Sequence, residues 1–211
     1  MKYKMVIFDL DGTILNTIED LCCAVNHALK QYQIQLINIE TCKANLGHGI
    51  KHLVYESSGR SEKIDDLLKE FRRFYSINYN NFTKPYDGIV EVLDYCINNN
   101  IKIGVYTNKV EDIAINLCKD HFGDRFDFVY GDIEGRQRKP NPEFLLKLIC
   151  ELGYDLSEVL YVGDSDVDIK TCLNAKIDGV FFSYGFRSKN DLEKLTNKIL
   201  DSAKDLIKYL G

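Results

Sequence analysis

Five short apolar runs are spaced along the chain, at residues 4–8, 101–106, 126–130, 159–162 and 179–182. Each is rich in Val, Ile, Phe or Tyr and is flanked on one side by Gly, Asn or Asp, which predicts strands buried on both faces. Between the later runs, apolar residues recur at helical spacing over Gly88 to Asn98, Val110 to His121, Pro142 to Leu152 and Val167 to Ala175. Asn98-Asn99-Asn100 and Gly153 supply stops for two of these helices. Strands alternating with helices imply right-handed crossovers and a parallel sheet, so the expected fold class is α/β.

The stretch from Leu15 to Lys84 is different in kind. It carries no convincing strand, and Ile18, Leu21, Cys22, Val25 and Leu29 share one helix face while Leu67, Leu68, Phe71, Phe74 and Tyr75 share another. The pattern predicts a helical module, residues 15–84, inserted after the first strand into a core made of residues 1–14 and 85–211. The chain returns to that core through Thr83-Lys84-Pro85-Tyr86-Asp87-Gly88. Insertions occur at loop sites, and a helical lid above the carboxyl end of the sheet is the expected arrangement. Neither an internal repeat nor a low-complexity tract stands out.

Composition narrows the classes of function. The 211 residues can bury a sizeable core, and 45% hydrophobic and 28% charged residues are ordinary for a globular protein. A formal charge of -5 argues against a nucleic-acid surface. Lys189, Lys194, Lys198, Lys204 and Lys208 alternate with acidic residues and read as solvated helix faces. No apolar run approaches the roughly 20 residues that span a bilayer, and the apolar stretch after Met1-Lys2-Tyr3-Lys4 is too short for a signal peptide. The seven cysteines are scattered without a C-x-x-C pair, which suggests neither zinc nor a disulfide framework. A cytoplasmic protein is expected, monomer or homodimer, with no membrane or nucleic-acid partner.

Candidate chemistry collects at the strand ends. The first run closes in Asp9-Leu10-Asp11-Gly12-Thr13, and open α/β sheets bind ligands beyond the carboxyl ends of their strands. Two carboxylates so close need a cation or a shared proton, which points to a metal-dependent site for an anionic substrate. The same letters also occur in turns and calcium loops. The second run ends in Tyr106-Thr107-Asn108-Lys109, where a hydroxyl and an amide are suitable donors to phosphate oxygens, or caps for the helix that follows. Lys139, just before Pro140-Asn141-Pro142, is either a fixed positive charge for a phosphoryl group or solvated surface. Val162-Gly163-Asp164-Ser165-Asp166-Val167-Asp168 repeats the opening logic, and a helix starting near Ser165 turns Asp164 and Asp168 toward one point. Carboxylates converging without an arginine point to a hard divalent cation, Mg²⁺ rather than zinc.

These four pieces in this order resemble the four motifs of the haloacid dehalogenase superfamily, and the resemblance covers essentially the whole chain. It implies a Rossmann-like parallel-sheet core with an all-helical cap of the C1 type; the gap from Lys109 to Lys139 is too short for a large second cap. It further implies that Asp9 is the nucleophile and Asp11 the acid/base. Thr107, Asn108 and Lys139 would hold the phosphoryl group. Mg²⁺ would sit on Asp9, Asp11 through its backbone carbonyl, Asp164 and Asp168, the last as a ligand or as support.

Within the superfamily, Asp11 favours phosphate esters, since dehalogenases have no leaving alcohol to protonate. Leu46-Gly47-His48-Gly49-Ile50, Lys84-Pro85-Tyr86-Asp87-Gly88 and Ser183-Tyr184-Gly185-Phe186-Arg187 resemble the phosphoglycolate phosphatase branch. Tyr184 stands where that branch often has Trp, and Asn16 where it often has Asp. The expected activity is Mg²⁺-dependent hydrolysis of a small phosphorylated metabolite, with Gly47, His48, Gly49 and Lys51 of the cap selecting it. Open alternatives are a sugar-phosphate mutase similar to β-phosphoglucomutase, with His27 or His48 as cap base, and a pyrophosphatase or nucleotidase. A non-catalytic phosphate-binding module would show an eroded motif, whereas Asp9, Asp11, Lys139 and Asp164 all stand.

Overall fold

In the computed structural model, which describes residues 2–47 and 49–211, the apolar runs pair into one six-stranded parallel sheet. Strand β1 (Met5–Phe8) is followed by two-residue strands β2 (Leu15–Asn16) and β3 (Lys84–Pro85), which form a separate two-stranded sheet. Then come β4 (Lys102–Val110), β5 (Phe128–Asp132), β6 (Val159–Gly163), β7 (Asp178–Phe182) and β8 (Ile199–Leu200). The main sheet runs β5-β4-β1-β6-β7-β8. Strand β1 lies at its centre, with Phe8 opposite Val105 on one side and Val162 on the other. All four β1 residues are buried, as a strand covered on both faces requires. The chain leaves β1 toward β4 and β5 and leaves β6 toward β7 and β8, so the strand order reverses between β1 and β6. Ligand crevices of α/β sheets lie at such a reversal.

The chain divides into two compact units, Met1–Leu15 with Pro85–Gly211, and Asn16–Lys84. In the first, helices α5 (Ile89–Asn98), α6 (Glu111–Phe122), α7 (Glu143–Glu151), α8 (Asp166–Ala175), α9 (Lys189–Glu193) and α10 (Ala203–Leu210) accompany the sheet. Met5, Ile7, Tyr106, Leu145, Ile149 and Tyr161 belong to one buried cluster there. The second unit holds α1 (Ile18–Gln31), α2 (Ile39–Asn45), α3 (Ile50–Ser57) and α4 (Ile64–Asn78). Val25 and Leu29 of α1 and Leu67, Phe71 and Tyr75 of α4 are buried in it. Asp20, also buried, accepts from the backbone N–H groups of Asn81, Phe82 and Thr83 and from Thr83 Oγ1.

Several elements depart from the pattern-based expectation, and β2 and β3 stand at the two ends of the stretch expected to carry no strand. Strand β4 continues past Tyr106 to Val110, with a register shift against β5 between those residues, so Thr107, Asn108 and Lys109 stand on an irregular strand end. Strand β8 was not legible at all. Two residues, Ile199 and Leu200, are too few for a period-two signal and lie among lysines.

Candidate active site

Asp9 extends β1 by one residue, its N–H donating to Val162 O at 2.8 Å. The chain then turns tightly, Leu10 O accepting from the N–H groups of Thr13, Ile14 and Leu15. Gly12 makes this possible at φ +85, and a Cβ there would stand 2.4 Å from Asp164 Oδ2. The Asp9 side chain is buried, and its Oδ1 has no hydrogen-bond partner among the described residues. Lys139 Nζ lies 3.0 Å from that oxygen, a charge contact out of line for a hydrogen bond. Burial pushes the Asp9 carboxyl up to about 6, with Lys139 opposing and Asp168 reinforcing the shift.

Strand β6 delivers the second group of carboxylates. A Cβ on Gly163 would lie 2.4 Å from Asp168 Cγ, so only glycine lets Asp168 fold back beneath the strand end. Ser165 caps α8 and forms a capping box with Asp168. Asp168 Oδ2 accepts from Asp164 N (3.2 Å), Ser165 N (3.1 Å) and Ser165 Oγ (2.6 Å). Its Oδ1 accepts from Lys139 Nζ at 2.7 Å and lies 3.2 Å from the Tyr161 hydroxyl. Asp164 takes Thr13 Oγ1 on Oδ1 at 3.0 Å and Phe186 N–H on Oδ2 at 2.7 Å. Burial, then Asp168 and Asp9, push the Asp164 carboxyl well above the usual carboxylate range, against those two donors.

Asp9, Asp164 and Asp168 each offer an oxygen within 4.8 Å of the others, all three buried. The donors are oxygen only, one of them takes no hydrogen bond from the described residues, and three carboxylates share the space with one ammonium. That combination fits a hard divalent cation. The oxygens of Asp168 are engaged by the donors above, as those of Asp164 are by Thr13 and Phe186.

The lysines balance this charge. Lys139 is buried, with Nζ on Asp168 and 2.9 Å from the Tyr161 hydroxyl. Burial pulls its proton affinity down, but Asp168 and Asp9 outweigh that and hold it above the usual lysine value. Asn108 clamps the Lys139 backbone from both sides, accepting its N–H at 2.9 Å and donating to its carbonyl at 3.0 Å. Helix α6 begins instead after Val110, with no side-chain cap, so the capping alternative for Thr107 and Asn108 is not realised. Thr107 is buried beside them. Asp11 is not in the close carboxylate set; its two oxygens accept from Lys109 Nζ at 2.9 and 3.1 Å.

Lys109 had no assigned role in the sequence. Nothing in the local pattern marks it, since it follows two polar residues; only in the fold is it 4% exposed and paired with Asp11, as a buried lysine requires. Tyr161, read only as a strand residue, is the hydroxyl between Lys139 and Asp168. Of the proposed cap residues, Gly47 (φ +105) and Gly49 (φ +88) precede α3 and Lys51 is exposed on it; His48 lies outside the described residues.

The family profile for haloacid dehalogenase-like hydrolases matches residues 6–182. The phosphoglycolate phosphatase of Pseudomonas savastanoi pv. phaseolicola is 29% identical over 214 residues, covering 97% of this chain and 78% of that protein. The phosphoglycolate phosphatase of Aquifex aeolicus is 26% identical over 208 residues, covering 98% and 96%. The pyrophosphatase PpaX of Halalkalibacterium halodurans is 26% identical over 220 residues, covering 100% and 98%. A crystal structure from Lactobacillus delbrueckii subsp. bulgaricus shares 29% identity and a TM-score of 0.92 over 99% of this chain and 98% of that one. The whole cluster of carboxylates and lysines falls inside the matched stretch, and the chain belongs to the haloacid dehalogenase-like hydrolases.

Proposed function

We propose that the protein is a Mg²⁺-dependent phosphatase of small phosphate monoesters, 2-phosphoglycolate the first candidate, working through a phosphorylated Asp9. The observation that carries the reading is Asp9 itself: a buried carboxylate at the end of the central strand, one oxygen without a hydrogen-bond partner among the described residues and ion-paired to a buried lysine. Asp9 attacks phosphorus, the bond to the leaving oxygen breaks, and Asp11 gives that oxygen a proton. Asp11 then takes a proton from the water that attacks the phospho-aspartate, which frees Asp9 and inorganic phosphate. Lys139 and Thr107 hold phosphoryl oxygens, with Lys139 fixed by Asp168, Tyr161 and Asn108, so its charge is in place before the reaction. Asp9, Asp164 and the Asp11 carbonyl would hold Mg²⁺, which when bound supplies positive charge to the phosphoryl oxygens.

The substrate assignment is supported by the relatives named phosphoglycolate phosphatase, and pyrophosphate competes with it through the PpaX relative. We assign selection between them to the helical unit, at Gly47, Gly49 and Lys51. The free state of all seven cysteines suits a reducing, cytoplasmic setting. The test is phosphate release from a panel holding 2-phosphoglycolate, pyrophosphate, nucleoside monophosphates and sugar phosphates, with an Asp9→Asn control. Release that needs Mg²⁺, favours 2-phosphoglycolate and vanishes in the control is expected. No release from any member of the panel would overturn the hydrolase reading.

A further inference from the structure

The loop after β7, residues 183–187, has no part in the chemistry above, yet it is built onto Asp164. The Phe186 N–H donates to Asp164 Oδ2 at 2.7 Å, while Thr13 holds Oδ1 from the β1 turn. Gly185 lies against the same carboxylate. A Cβ there would stand 2.3 Å from Asp164 Cβ, 2.4 Å from Asp164 Oδ2 and 2.6 Å from Gly12 O. The last of these is backbone and cannot swing aside. The residues on either side pin the loop in place. Tyr184 donates its hydroxyl to Thr13 O at 3.0 Å and stacks on Phe182, and Arg187 Nε reaches Asp166 Oδ1 in the first turn of α8 at 3.2 Å.

We propose that Gly185 and the Phe186 N–H are positioning residues that aim Asp164 at the divalent cation; this rests on the reading of Asp164 as a cation ligand. A carboxylate held on both oxygens by a fixed hydroxyl and a fixed N–H has little freedom to rotate. Hydrogen-bond partners of metal ligands set how well those ligands grip. A methyl group at position 185 meets the Asp164 side chain and the Gly12 carbonyl at once, so it must displace the Asp164 carboxylate or shift the loop itself.

The test is calorimetric titration of Mg²⁺ into the full-length wild-type protein and Gly185→Ala, each checked by thermal melting. In parallel, the Phe186 amide of the wild type is followed by NMR during the same titration. Gly185→Ala should weaken Mg²⁺ binding by roughly tenfold to a hundredfold, with turnover recovered by raising Mg²⁺. The wild-type Phe186 amide should shift with the same dissociation constant. Equal Mg²⁺ affinity in a folded Gly185→Ala, or an unmoved Phe186 amide on saturation, overturns the positioning role alone. If Gly185→Ala does not fold, the wild-type amide decides. A wild-type protein that binds no Mg²⁺ overturns both this role and the reading beneath it.

Discussion

Lys139 is the residue on which the charge balance turns. It sits between Asp9 and Asp168, so its removal strands two buried carboxylates without their shared ammonium. Breaking a buried pair by deleting one partner costs about 3–5 kcal/mol. Lys139→Met should therefore lower stability by about that amount in urea unfolding, besides abolishing turnover. A variant as stable as the wild type would show that the carboxylates are neutral in the resting protein. Asp178 offers a contrast at the far end of the sheet. A hydrogen bond from Lys2, with help from Tyr3 and Lys198, holds its carboxyl below the usual carboxylate range despite some burial. A depressed carboxyl contributes stability above its unfolded value of about 3.9, lost as pH falls through the folded value. Asp178 is partly exposed, so the contribution is screened to about 0.5 kcal/mol. Asp178→Asn should melt about 1–2 °C lower at pH 7, and the gap should close only in strong acid; a gap independent of pH would deny the ion pair its role.

At the scale of elements, α1 shows what periodicity reveals and what it hides. Its apolar face was legible from Ile18, Leu21, Cys22, Val25 and Leu29. Asp20, between them, looked like an ordinary acidic residue near a helix start. In the fold it is buried and gathers the backbone donors of Asn81, Phe82 and Thr83, more than sixty residues away. Tertiary partners of this kind leave no mark on local pattern. Asp20→Ala orphans those donors and should destabilise the protein by about 2–3 kcal/mol, read as a fall in the urea midpoint at unchanged slope. A change within experimental scatter would mean that water replaces the carboxylate. Strand β4 makes the same point. Its apolar run ended at Tyr106 in the sequence, because Thr107, Asn108 and Lys109 are polar. Yet the strand continues, and there the Asn108 and Lys109 side chains find Lys139 and Asp11, while Thr107 Oγ1 accepts from the Lys109 N–H.

For the molecule as a whole, the alternation of apolar runs with helical faces was enough to expect a parallel α/β sheet, and the carboxylates stood visibly at strand ends. What the sequence withheld was pairing: which lysine meets which carboxylate, and that Asp168 takes Lys139, Ser165 and the Asp164 N–H on its two oxygens. These depend on residues that only folding brings together. Packing Asp9, Asp164 and Asp168 within 4.8 Å also has a global consequence. A cation that binds this cluster in the folded state alone stabilises the fold by about 2.7 kcal/mol at a hundredfold excess over its dissociation constant. Mg²⁺ at that excess should raise the melting temperature by about 5–10 °C, and chelation should reverse it. The same rise in Asp164→Asn would place the ion elsewhere. The claim beneath all of this is that Asp9 itself carries the phosphoryl group. It is tested most directly by acid-quenching Asp11→Asn, in which breakdown of the intermediate is slowed, after incubation with Mg²⁺ and 2-phosphoglycolate or the best substrate found, and mapping the protein by mass spectrometry. A phosphoryl mass gain on the peptide holding Asp9, absent from Asp9→Asn/Asp11→Asn, is the predicted result. Turnover by the wild type with no such gain in the acid/base variant, or a gain on another residue, would contradict it.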